Sequence, residues 1–73
     1  MANGFIPISQ IIANRISDMI FLEKKYKPND KLPNENMLAE ELGVSRTTIR
    51  EAVKILVANK VLTVERGRGT FVT

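Results

Sequence analysis

The sequence has no cysteine, no histidine and no tryptophan, and these absences remove whole classes of chemistry. Without thiols there are no disulfides and no thiolate nucleophile. With histidine also missing, imidazole bases and the commonest zinc sites go too. A chain of 73 residues without such staples has to hold one modest core by packing alone. No run of about 18 apolar residues occurs, so no membrane-spanning helix is expected. The N-terminus lacks the basic segment and apolar run of a secretory signal, which makes the cytoplasm the expected location. An enzyme is not expected: there is no convincing nucleophile–base pair, little room for a pocket, and no sign of a metal or cofactor site.

What is present is unevenly charged. Residues 1–43 hold five Lys/Arg and six Asp/Glu, a net −1, whereas residues 44–73 hold six and two, a net +4. The excess therefore lies in the C-terminal part and points toward an anionic partner such as nucleic acid or a membrane surface. The richest stretch there is Val44–Glu51. Ser45 can cap a helix by accepting from the free N–H groups of the first turn. Ile49, Ala52, Val53 and Leu56 then recur at the spacing of one buried helix face. Arg46, Arg50 and Lys54 step by four along a neighbouring stripe, with Thr47 beside them. One helix thus buries an aliphatic side and offers water a cationic, hydroxyl-bearing side.

The remaining elements follow in order. Residues 1–7 read as a lead-in. A first helix is expected from Ile8 to about Leu22 or Lys24, on the stripe Ile8, Ile11, Ile12, Ile16, Met19 and Ile20, with Lys24, Lys25 and Lys27 complementing its C-terminal dipole. Pro28-Asn29 makes a tight turn, and Pro33 holds Leu32 extended. Asn34 caps a second helix with Glu35 as its first-turn anion; Met37, Leu38, Ala39 and Leu42 form its apolar side, Met19 and Met37 serving as core filler. Gly43 ends it. The third helix is expected to reach Ala58 or Asn59, with Asn59 in the left-handed exit position. Val61–Glu65 and Thr70–Thr73 are strand-like around the turn Arg66-Gly67-Arg68-Gly69, which makes a hairpin with two arginines at its tip. Gly67-Arg68-Gly69 is not a dinucleotide fingerprint, because no helix follows it. The fold class is mostly α with a small β-hairpin: two short helices around a glycine turn form a helix-turn-helix, and three helices plus a two-stranded wing form a winged helix.

Three motifs now carry a family resemblance. Leu32-Pro33-Asn34-Glu35, the run Leu42 to Ala52, and Gly67-Arg68-Gly69-Thr70-Phe71-Val72 together resemble the GntR family of bacterial transcription regulators over residues 8–73, and Arg50-Glu51-Ala52 looks most like its FadR-type branch. Asn34 stands where serine is usual. Lys24, Asn29 and Lys60 stand where glycine is common, and only Asn29 takes a left-handed turn cheaply. Asn36 stands where relatives often carry arginine, which alters what that position reads. The resemblance implies sequence-specific binding of double-stranded DNA by a repressor or activator. Ser45, Arg46, Thr47, Thr48 and Arg50 would serve the major groove, Asn36 would lie beside them, and Arg66, Gly67 and Arg68 would enter the minor groove. Glu51 is expected to steer Arg50, and Lys54 to touch phosphate. In such families, pairing and a small-molecule effector pocket usually lie in a C-terminal domain, absent here. The fragment is therefore expected to be monomeric or weakly associating, the full-length protein a homodimer on a two-fold symmetric operator. The competing reading is a winged helix that docks an acidic protein partner on its basic face.

Overall fold

A computed structural model describes residues 6–73, so that of the lead-in expected over 1–7, residues 1–5 lie outside the described residues. Helix α1 spans Ile8–Phe21, α2 Glu35–Leu42 and α3 Arg46–Ala58; strands β1 (Leu62–Glu65) and β2 (Gly69–Val72) complete the chain. This is the expected winged helix-turn-helix.

The three helices share one core. Ile12, Ala13, Ile16, Met19 and Ile20 of α1 are buried, as are Leu38 and Ala39 of α2 and Ile49, Ala52 and Leu56 of α3. Ile16, Met19, Ile49 and Leu62 are its largest fully enclosed side chains. Ala13 and Ala52 expose no surface, and such small residues let helix axes approach closely. The apolar stripe of α1 is narrower than its spacing suggested: Ile8, a turn before Ile12, and Ile11, turned to another face of the helix, are exposed. Met37 is likewise 56% exposed and is not core filler; α2 turns only Leu38 and Ala39 fully inward.

The ends of the helices follow side-chain chemistry. Asn34 accepts from the Met37 N–H at 2.9 Å, and Ser45 accepts from the Thr48 N–H at 3.1 Å. Between them Gly43 takes φ +70°, which closes the tight turn from α2 to α3. The lysines after α1 fall beyond its last turn and do not serve its dipole. Lys25 instead reaches Glu41 of α2 at 2.7 Å and so ties the exit of α1 to α2.

The hairpin is antiparallel, with Leu62 opposite Val72 and Glu65 opposite Gly69, leaving Arg66, Gly67 and Arg68 as the loop. Its base is anchored by the α1–α2 connector. Val72 N–H donates to Asp30 O at 2.9 Å, Leu32 N–H donates to Thr70 O at 2.8 Å, and Lys31 bridges Phe71. The connector makes the turn expected at Pro28-Asn29, with Asn29 at φ +75° and Asp30 N–H bonded to Lys27 O.

One turn differs from expectation. Asn59 at the end of α3 has φ −89°, and Lys60 takes the left-handed position at φ +63°. The exit needs that conformation one residue later than the asparagine, since Lys60 N–H still bonds to Val57 O and Val61 N–H to Leu56 O. Lys24 is also left-handed, at φ +56°. A non-glycine residue there costs about 1–2 kcal/mol, partly offset by the chain entropy that glycine would lose on folding. Lys60→Gly is therefore expected to stabilise the domain by roughly 0.5–1 kcal/mol in urea denaturation; a lower midpoint would contradict strain at this turn.

Candidate nucleic-acid interface

The residues singled out by sequence fall into two groups. The first surrounds the N-terminus of α3. Arg46 and Thr47 are exposed in its first turn, and among the described residues Arg46 has no ion-pair partner. Ser45 caps the helix, and its Oγ lies 3.0 Å from Thr48 Oγ1, so these two hydroxyls share one hydrogen bond. Asn36 is exposed in the first turn of α2. Free N–H groups and hydroxyls at a helix N-terminus favour an anion.

Arg50 belongs to this group but is already engaged. Its Nη2 donates to Glu35 Oε1 at 3.1 Å and its Nε to Glu35 Oε2 at 3.3 Å, a two-pronged pairing. The hydrogen bond and charge of Glu35 hold the guanidinium above the ordinary arginine value, and Glu51 adds a smaller push the same way. The residue that steers Arg50 is thus Glu35, not the neighbouring Glu51 expected from sequence. Glu51 lies instead 3.6 Å from Lys54 on the same helix. The reach of α2's first turn to α3 is a tertiary contact, invisible in the spacing along either helix. Both partners are about half exposed, so the pair adds little to stability.

The second group is the hairpin loop. Arg66, Gly67 and Arg68 are all exposed. Arg68 donates to Glu65 Oε1 at 2.7 Å, and its guanidinium carbon stands 5.4 Å from the Phe71 ring centre. Arg66 has no ion pair among the described residues. The loop stands apart from α3. Between α3 and the strands that carry the loop runs an open groove of about 450 Å³, bordered by Arg50 and Lys54 on one side and by Val64 and Thr70 on the other. Lys31, from the connector, also borders this groove, a position that no pattern along the sequence indicates. No group of acidic or metal-binding side chains suited to a metal ion occurs among the described residues.

The surface therefore carries a cationic, hydroxyl-bearing helix end and a two-arginine loop, with a groove between α3 and the hairpin strands. Acid partners hold Arg50 and Arg68 in place. That arrangement fits a ridged polyanion: a helix end for a wide groove, a slim loop for a narrow one.

Comparison with known proteins gives this surface a context. The family model for "Bacterial regulatory proteins, gntR family" matches residues 8–72. The mannosyl-D-glycerate transport/metabolism system repressor MngR of Escherichia coli is 42% identical over 69 residues, which make up 94% of this chain and 28% of that protein. A solved structure of Streptococcus agalactiae GntR matches 89% of this chain and 31% of its own, with 45% identity and a TM-score of 0.82. The DNA-binding domain of AraR, crystallised in complex with operator ORR3, matches all of this chain and 87% of its own, with 37% identity and a TM-score of 0.84. The chain spans only about a quarter of the curated relatives it matches, 28% and 25% of the first two.

The cap underlies the whole helix end. Ser45→Ala is expected to destabilise the domain by about 1 kcal/mol in thermal or urea unfolding; a loss of no more than a few tenths would mean that Ser45 Oγ does not hold the first turn.

Proposed function

The chain belongs to the GntR family of bacterial regulatory proteins, and from that premise we propose that it is the operator-reading domain of a transcription regulator. The observation that carries this reading is the exposed N-terminal end of α3. Arg46, Thr47 and Arg50 stand there on a helix whose other face is sealed into the core. AraR's DNA-binding domain, of the same fold over the full length of this chain, has been crystallised with operator DNA, which supports the same use here.

Helix α3 enters the major groove N-terminal end first. The Thr47 hydroxyl and the helix's first N–H groups take phosphate oxygens, and Arg46 and Arg50 reach base edges. An arginine fork matches the O6 and N7 acceptors of guanine. Glu35 presents the Arg50 fork in a fixed orientation before DNA arrives, which lowers the entropy lost on binding. Asn36, at the mouth of α2, takes phosphate or a base edge where an arginine would make a longer reach. The loop Arg66–Arg68 enters the adjacent minor groove, where arginine meets a deep negative potential.

The remainder of the function lies in the longer protein. A following domain supplies pairing and an effector pocket, so that a homodimer reads a two-fold symmetric operator in the bacterial cytoplasm, and the fragment alone binds a half-site weakly. No helix among the described residues is long and apolar enough to cross a membrane.

Arg50→Ala tests the reading. If Arg50 reads a base, the substitution costs roughly 1–3 kcal/mol on a duplex selected by the wild-type chain, and far less on random-sequence duplex. Fluorescence anisotropy measures both. Equal losses on the two duplexes would make Arg50 a phosphate contact and take base reading away from it.

A further inference from the structure

Lys31 was a connector residue by sequence, yet the fold gives it a particular seat. Its side chain crosses the wing at Gly69. A Cβ added to Gly69 would stand 2.6 Å from Lys31 Cε and 3.5 Å from Nζ, so the end of the lysine stem lies over Gly69 and would have to swing aside for a larger residue. Gly69 also has φ +126°, a backbone that residues with side chains rarely adopt. The stem is fixed at its root as well. Lys31 bridges Phe71 of β2, and Leu32 N–H bonds to Thr70 O. The ammonium is thereby carried across β2 to the groove between α3 and the hairpin.

Three cations border that groove. Arg50 is held by Glu35, and Lys54 lies near Glu51. Lys31 has no ion pair among the described residues. The other polar groups there are Asn34, Glu35 and Thr70, and the one carboxylate among them is satisfied by Arg50.

The geometry of double-stranded DNA says what would fill such a groove. One sugar–phosphate strand separates a major groove from the adjacent minor groove. A domain with α3 in one and its hairpin loop in the other must straddle that strand. We propose that the groove receives this strand and that Lys31, whose stem passes over Gly69, is a phosphate-contacting residue within it. The assignment rests on the DNA-reading function above and extends it to a residue outside both the helix and the loop. Lys31 contacts backbone and not base, so it contributes affinity without sequence preference.

The test uses the whole 73-residue chain in anisotropy titrations across a salt series. The probes are a duplex selected by the wild-type chain and a random-sequence duplex. Lys31→Met keeps most of the stem and removes the charge; Lys31→Arg keeps the charge. Losing one phosphate contact lowers the steepness of log K against log salt by about 0.9, equivalent to a roughly eight-fold loss at 0.1 M salt that fades toward 1 M. Lys31→Met is expected to show this change equally on both duplexes, with an unchanged unfolding midpoint, and Lys31→Arg is expected to restore the wild-type slope. An unchanged slope in Lys31→Met, or a loss confined to the selected duplex, overturns the assignment while leaving the DNA-reading function intact. Failure of the wild-type chain to bind either duplex would remove that function, and the role of Lys31 with it.

Discussion

The packing of α3 against α1 is the constraint on which the rest depends. Ile49, Ala52 and Leu56 are buried among the apolar side chains of α1, and this fixes the rotation of α3 about its own axis. Because Arg46, Arg50 and Lys54 stand on the complementary stripe, the same burial decides that they face water. The hairpin follows from it as well: Leu62 and Val72 close the same core, so the wing sits at a set angle to α3, and the connector pins β2 from the other side. A core this small has no disulfide or metal to share the task. A change at Ile49 would therefore disturb the presented face as much as the stability.

Three of the cations in this region are paired in the free domain. Arg50 pairs with Glu35, Arg68 with Glu65 and Lys54 with Glu51, and all these side chains are substantially exposed. Pairs of this kind contribute little to stability, since water and salt compete for both partners. Their consequence is geometric. A guanidinium held by two prongs has already given up much of the rotamer freedom it would otherwise lose on meeting a ligand. The acidic partners also lower the net positive field. A chain with fewer uncompensated charges is held less tightly to DNA of arbitrary sequence.

Local chemistry was readable before the fold, and long-range contacts were not. Asn34 and Ser45 as caps, Gly43 as the turn, and the glycine-containing hairpin loop all follow from rules that act over three or four residues, and each stands as expected. Periodicity located the buried side of α3 but overextended that of α1: Ile8 precedes the buried residues and Ile11 lies round the helix from them, and both are exposed. The left-handed residue at the exit of α3 fell on Lys60 although Asn59 is the better suited residue, since the hydrogen bonds closing the helix decide the position and propensity only sets its cost. Of the interface, the helix end and the loop were legible as charge at a cap and charge at a turn. Glu35 beside Arg50, and Lys31 over Gly69, join residues 15 and 38 positions apart, and no pattern within either segment announces them.

The central claim is that the helix end and the hairpin loop act on one duplex at once. The most direct measurement is a map of amide chemical-shift changes across the 73-residue chain on adding duplex selected by that chain. Simultaneous engagement gathers the changes in two stretches, Ser45–Arg50 and Glu65–Gly69, with the amides of α1 little affected. Changes centred on α1, or on one of the two stretches with the other silent, would contradict it.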